Sequence, residues 1–224
     1  MNKLKLLITV LFSLTLMVSP SVSKEIRIGA SAGFAHLEAT GSETLKDSSV
    51  VTSHTEQANA VIPSLFAEIA TDNGYGMGID YIAGTADLAG SSRSKIHANT
   101  GSGNDANTNT ANAEVDGITT VYLIKMFENG IFVKAGMSAA DVNTTETLNT
   151  GTTYGNKSVD GKHFGFGYEQ SKDSGLFFRA GLEHTDFDTL NLTGTQVGGT
   201  AGSFNTIKAD VDITAAKFSI GKKF

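Results

Sequence analysis

The sequence predicts an all-β fold of eight antiparallel strands closed on themselves. Three observations carry that prediction. Eight segments alternate bulky residues with small or polar ones at a period of two, the signature of strands with unlike faces. Three tight turns, each ending in glycine, alternate with four long polar connections. The chain contains 25 Gly, two Pro and no Trp, and Asn, Thr, Ser and Gly dominate long stretches, which is turn and strand chemistry.

The first segment, 25–37, sets Ile26, Ile28, Ala30, Ala32 and Phe34 on one face. The second, 60–71, does the same with Val61, Pro63, Leu65, Ala67 and Ile69. Pro63 cannot donate a ladder hydrogen bond, which predicts a rim position or a bulge. Asp72-Asn73-Gly74 then leads to the third, 75–86, with Tyr75, Met77, Ile79, Tyr81 and Ala83. Asn-Gly is the favoured pair for a two-residue hairpin in which both central positions take positive φ. In the fourth, 114–126, Ile118, Thr120, Tyr122, Ile124 and Met126 form the apolar face. Its run VYLIKMF puts Val121 and Leu123 on the opposite face with Lys125, an irregularity that a bulge would produce. Glu128-Asn129-Gly130 leads to the fifth, 131–140, with Ile131, Val133, Ala135, Met137 and Ala139. The sixth, 162–170, presents Phe164, Phe166 and Tyr168, and Ser171–Gly175 turns the chain into the seventh, 176–186, with Leu176, Phe178, Ala180 and Leu182. The eighth, 208–224, carries Ala216, Phe218, Ile220 and Phe224. The connections 39–59, 87–113, 141–161 and 187–207 read as polar loops at the end opposite the turns.

The stretch HFGFGYEQ at 163–170 shows which face is which. Its aromatics share one parity, while His163, Gly165, Gly167 and Glu169 share the other. Glycine in a strand costs about 0.5–1 kcal/mol relative to alanine, so a water-facing surface has no use for it. The crowded inner face of a narrow closed barrel does. The aromatics therefore face lipid, and the glycines leave room inside for the long charged side chains of that parity: Arg27, Glu68, Asp80, Lys125, Lys134, Glu169, Arg179, Glu183 and Lys217. The predicted architecture is a transmembrane β-barrel with short turns at one rim and long loops at the other.

Lys3 and Lys5, the apolar run 6–18, and the small residues Ser21 and Ser23 give residues 1–23 the pattern of a secretory signal peptide. Residues 24–224 then form a single barrel domain. The absence of cysteine excludes disulfides and thiolate metal sites. The chain has 17 basic and 23 acidic residues, and loss of Lys3 and Lys5 makes it more acidic, which argues against a nucleic-acid partner.

The last residues, AAKFSIGKKF, place Phe218, Ile220 and the terminal Phe224 on one parity. This resembles the carboxy-terminal signal by which bacterial outer-membrane barrels are recognised for insertion, although Lys222 stands where an apolar residue is usual. The region 24–224 resembles the small eight-stranded family that includes OmpX and the OmpA membrane domain. The resemblance implies a monomer in the bacterial outer membrane, surrounded by lipid and lipopolysaccharide and inserted by the barrel-assembly machinery. It implies periplasmic turns and extracellular loops that can contact an extracellular ligand.

The interior charges point first to a network of ion pairs that fills the lumen, since buried charges must pair. Eight strands leave an interior that side chains just fill. A structural and surface-interaction role through the four loops follows, with a narrow passive ion or solute channel as the alternative and a lipid-modifying enzyme as a third reading. No cofactor is implied and no enzyme is expected. His184, near the loop-side end of the seventh segment, is the one histidine placed to suggest lipid chemistry, and no serine is placed beside it. Asp105, Asn107 and Asn109 fall at positions 1, 3 and 5 of a calcium-loop pattern, but Thr110 and Asp116 replace its Gly and Glu, so no metal site is expected.

Overall fold

Three glycines begin the fold, because each lets a strand turn back on itself. Gly74, Gly130 and Gly175 adopt φ of 76°, 87° and 80°, and their N–H groups donate to the carbonyls of Thr71, Phe127 and Lys172 at 2.8–2.9 Å. Among the described residues no non-glycine has positive φ. The Asn-Gly turns are therefore not hairpins with two positive-φ residues. Only the glycine enters the left-handed region, as in three-residue hairpin loops. Each turn glycine then accepts a bond from the next strand over, from Met126, Glu169 and Lys223 respectively, so the turns extend the sheet.

The computed structural model describes residues 24–44, 51–87, 91–94, 108–147, 153–195 and 206–224. Its strands are β1 (Lys24–Thr44), β2 (Val51–Thr71), β3 (Tyr75–Asp87), β4 (Ser91–Ser94), β5 (Thr108–Met126), β6 (Ile131–Thr147), β7 (Lys157–Ser171), β8 (Leu176–Phe187), β9 (Leu190–Thr193) and β10 (Thr206–Lys223). The eight long strands pair antiparallel in the order β1-β2-β3-β5-β6-β7-β8-β10, and β1 pairs with β10 to close the barrel. The short β4 and β9 pair onto β5 and β10. No helix among the described residues is long and apolar enough to cross a membrane.

The membrane-facing belt is the one the alternation predicts on seven strands. Ile28, Phe34, Leu65, Tyr81, Phe164, Phe166, Leu182, Phe218 and Ile220 are all exposed outside. A tilted strand needs about 9–11 residues to cross a bilayer, and the outward apolar run of β1 from Ile26 to Phe34 has that length. Yet β1 and β2 each run for 21 residues.

Above the belt the two faces exchange character. The outward positions become His36 and Thr40 on β1, Gln57 and Asn59 on β2, and Thr214 on β10, all exposed. The inward ones become Ala35, Leu37, Val211, Ile213 and Ala215, all buried. The expected loops are correspondingly shorter. Much of 39–59 is β1 paired to β2, fastened by Thr40 to Thr55 at 3.1 Å and by Gln57 donating to Glu38 at 2.7 Å. Likewise β5 starts at Thr108, β6 runs to Thr147, β7 starts at Lys157, and β9 lies within 187–207. The lipid-facing alternation stops at the membrane edge, but pairing does not depend on lipid.

The exception is β5. A register shift at Gly117, with φ of 56°, changes its phase. As a result Val115 and Ile118 are both buried, and Tyr122 and Ile124 point inward at 1% and 2% exposure while Leu123 is 58% exposed. The face expected for lipid faces the lumen, and the outward face is Thr119, Val121, Leu123 and Lys125, opposite Tyr81, Ile79, Met77 and Tyr75 of β3.

Candidate functional site

The lumen is built on glycine beds. A Cβ at Gly78 would stand 2.6 Å from Cζ of Tyr122, and one at Gly181 would stand 3.1 Å from Cζ of Phe132. Gly29 lies under Phe66, Gly221 under Phe177 and Gly167 under Phe132, while Gly136 abuts the Val121 carbonyl and the Cα and Cβ of Tyr122. The inner glycines therefore make room mainly for four inward aromatic rings. Gly33, beneath Lys217, Gly165, beneath Glu183, and Gly78, which also meets Glu68, accommodate charged chains.

Arg179 of β8 sits at the centre. Its guanidinium carbon lies 4.8, 5.3 and 5.4 Å from the ring centroids of Phe177, Phe66 and Phe132. Its two terminal nitrogens each donate to Glu68 at 2.6 Å, and Nε donates to Glu169 at 2.7 Å. Tyr122 donates to the same Glu68 at 2.7 Å. Glu169 also accepts from Arg27 at 3.1 Å and from Lys223 at 2.9 Å, and Arg27 pairs with Glu25. This layer, near the turn end, balances Arg27, Arg179 and Lys223 against Glu25, Glu68 and Glu169.

A second layer lies farther from the turns. Glu183 accepts from Lys134 at 2.8 Å and pairs with Lys217 at 3.2 Å, while Lys217 donates to Asp80 at 3.0 Å. Ser64 donates to Asp80 at 3.2 Å. His163 shares Nδ1 with the Thr185 hydroxyl at 2.9 Å and brings Nε2 to 3.9 Å from Glu183. The two cations and two carboxylates again balance. Among the described residues no buried side-chain nitrogen or oxygen lacks a hydrogen-bond partner. That satisfaction is what lets charges remain in a desolvated lumen, because each unpaired ion would cost several kcal/mol.

The structure thus brings together Arg27, Glu68, Asp80, Lys134, Glu169, Arg179, Glu183 and Lys217. Lys125 is outside the network, because the β5 phase shift turns it outward. Its ammonium lies 3.9 Å from the centroid of Tyr75 and donates to the Asn73 carbonyl, in the manner of a lysine reaching for a membrane interface. The sequence reading missed Glu25, Lys223, His163 and Tyr122 as partners. The first three lie on the inward parity and were legible there; Tyr122 was hidden by the bulge. Lys217→Ala is expected to cost ~3–5 kcal/mol by stranding Asp80 and loosening Glu183. Lys125→Ala is expected to stay within about 0.5 kcal/mol. Urea midpoints of the two variants, followed by circular dichroism, check the contrast.

Three spaces surround this plug. At the turn end an open vestibule of about 1030 Å³ is lined by residues including Glu25, Arg27, Lys125 and Lys223. A void of about 20 Å³ lies over the second charge layer. Beyond it the lumen is an apolar chamber of Ala35, Leu37, Val115, Ile118, Val142, Phe187, Val211 and Ile213, with a cavity of about 280 Å³ between β2 and β3.

Phe218, Ile220 and Phe224 all face outward and are exposed, with Phe224 exchanging backbone bonds with Ile26 across the closing seam. His184 is half exposed on the outer wall, its Nδ1 2.9 Å from the Thr214 hydroxyl and its Nε2 3.9 Å from Asp212. Asp105 and Asn107 of the calcium-loop pattern, His97, and the signal-like residues 1–23 lie outside the described residues.

No protein-family model matches the chain, and no curated protein matches it. Solved structures do. The outer membrane protein OprG from Pseudomonas aeruginosa superposes with a TM-score of 0.55 at 11% identity, covering 91% of this chain and 97% of that one. Neisserial surface protein A gives a TM-score of 0.45 at 13% identity, covering 89% and 97%. The attachment invasion locus protein Ail of Yersinia pestis gives 0.38 at 10% identity, covering 86% and 97%. The match to OprG shows the fold, an all-β closed antiparallel barrel.

Proposed function

We propose that this chain is a monomeric integral outer-membrane barrel, akin to the OmpA and OmpX kind, whose lumen is held shut and whose work is done at the cell surface. The observation that carries this reading is the plug. Arg179, Glu68, Phe66, Phe132, Phe177 and Tyr122 are nearly solvent-free and lie across the lumen in the first of two charge-balanced layers. The apolar belt would be solvated by lipid and lipopolysaccharide. The strand extensions beyond it would hold the polar connections away from the belt, and connections on a rigid scaffold commonly carry binding residues. The reading assigns no catalytic step and no cofactor.

Planar-bilayer recording tests it. The native chain is expected to show no discrete conductance steps, while Glu68→Ala combined with Arg179→Ala is expected to open a measurable leak without a net change of charge. Steps from the native chain would instead establish the narrow-channel alternative. Excision of 95–107 is expected to abolish adhesion of expressing cells to host or abiotic surfaces while leaving the bilayer silent.

Phe218, Ile220 and Phe224 are proposed as the insertion signal read by the assembly machinery. Deletion of Phe224 also removes the carbonyl and N–H that bond Ile26. The variant is expected to accumulate in the periplasm, and normal outer-membrane levels would refute the assignment.

A further inference from the structure

The wall of the barrel is incomplete between β2 and β3. Their pairing runs from Ala70 opposite Gly76 to Ser64 opposite Ile82 and stops there, although β2 continues to Val51 beside β1. Two local features account for the break. Pro63, the next residue of β2, has no N–H to offer a ladder. On the other side β3 is deflected at Ala83 and Gly84, where its register with β5 shifts and Gly84 takes a φ of 123°. Such a bulge bends a strand and sharpens its twist. Gly117 bulges on β5 at the same level, so β3 stays with β5 and parts from β2.

The 280 Å³ cavity occupies this opening, and its lining has a telling composition. Ala60, Ile62, Ile82, Ile118 and Ile213 come from the lumen face. Val61, Pro63 and Ala83 come from the membrane face of the same two strands. A cavity lined by both faces of one sheet passes through that sheet. Its height follows from the register: Val61 pairs with Phe34, the last residue of the apolar run of β1. The opening therefore begins where the belt ends, at the outer edge of the bilayer.

We infer that the apolar outer chamber is a binding site for small uncharged lipophilic molecules, reached sideways from the outer leaflet through the slit between β2 and β3. No ionisable side chain lines the cavity, and its one polar side chain, Asn59, is already committed to His36 at 3.0 Å. A charged ligand would leave its charge unpaired there, at a cost of several kcal/mol. An apolar one replaces water against Ile and Ala side chains. The space suits a one- or two-ring hydrocarbon better than a folded partner, since ligand pockets run from about 300 Å³ upward. The charged plug forms the floor, so the chamber is blind toward the turn end. The inference does not depend on a surface-binding role for the loops.

Equilibrium binding of tritiated naphthalene to the full mature chain in nanodiscs tests it, with empty nanodiscs giving the lipid partition. One saturable molecule per barrel is expected. Ala60→Trp fills the chamber from the lumen side of β2 and is expected to weaken binding at least tenfold. Ala67→Trp puts the same side chain on the membrane face and is expected to leave binding unchanged. Both variants are to be accepted as folded only if they keep the cold-to-boiled shift on SDS gels; if Ala60→Trp fails that check, Ala58→Trp on the same face replaces it. Absence of saturable binding, equal binding by the Ala60 variant, or equal loss in the Ala67 variant would overturn the site. The sideways route has its own readout. Bridging Val61→Cys and Ala83→Cys with a short bis-maleimide is expected to slow uptake severalfold, and an unchanged uptake rate would mean that the ligand arrives through the open end.

Discussion

Arg179→Ala is expected to destabilise the barrel by ~3–5 kcal/mol, the cost typical of removing one partner from a buried ion pair. The residue is a hub, bonding Glu68 through two nitrogens and Glu169 through a third. The two carboxylates differ in what they have left. Glu169 keeps Arg27 and Lys223. Glu68 keeps only the Tyr122 hydroxyl, so most of the loss should come from Glu68. A double-mutant cycle separates the two: Arg179→Met with Glu68→Met should be less damaging than the sum of the single changes, because the stranded carboxylate is gone. Replacing both members of a buried pair by apolar groups is often near neutral. Urea unfolding in lipid, read by circular dichroism and by migration of unboiled samples, gives all four corners. Strict additivity, or a loss below about 1 kcal/mol for Arg179→Ala, would show that the guanidinium is not the tie between β8 and the opposite wall.

Gly78→Ala is expected to cost ~1–3 kcal/mol, the usual penalty for adding a methyl group to a filled core. The sign is the informative part. In an ordinary strand the same change gains about 0.5–1 kcal/mol, since alanine loses less backbone freedom on folding. Here the added Cβ would meet Tyr122 Cζ and Oη and Glu68 Cγ at 2.6–2.7 Å. All three are side-chain atoms, so the clash can be relieved by shortening one partner. Tyr122→Leu in the Gly78→Ala background should recover part of the loss, whereas Tyr122→Leu alone should destabilise by opening a void and removing a hydrogen bond to Glu68. A neutral or stabilising Gly78→Ala would mean that the Tyr122 ring does not lie on that bed.

How much of this was legible follows from what period two can encode. Alternation is a local property, so the strands, their turns and the glycine-bearing inner face could be read from segments such as Phe164-Gly165-Phe166-Gly167. Even Glu25 and Lys223, overlooked as network members, lie on the inward parity. The apolar outer chamber was harder to see. It is built of Ala, Val and Ile on a face that had been charged a few residues earlier, and the outward Thr, Asn and Asp of the same stretches resemble loop composition. The strands consequently run farther than their lipid-facing alternation.

Alternation along the chain is enough to fix the fold class, the direction of each face on seven strands, and which charges on those strands point inward. Tertiary structure decided the rest, because it depends on register between strands and not on alternation within one. The bulge at Gly117 turned Tyr122 into the lumen and Lys125 out of it. Closure of β1 on β10 set Arg179 against Glu68, 111 residues away, and put Lys217 beside Asp80. The end of the β2–β3 ladder at Ser64 opened the wall. No single strand contains any of these facts, since each is a relation between two backbones whose relative height is fixed only when all eight strands close.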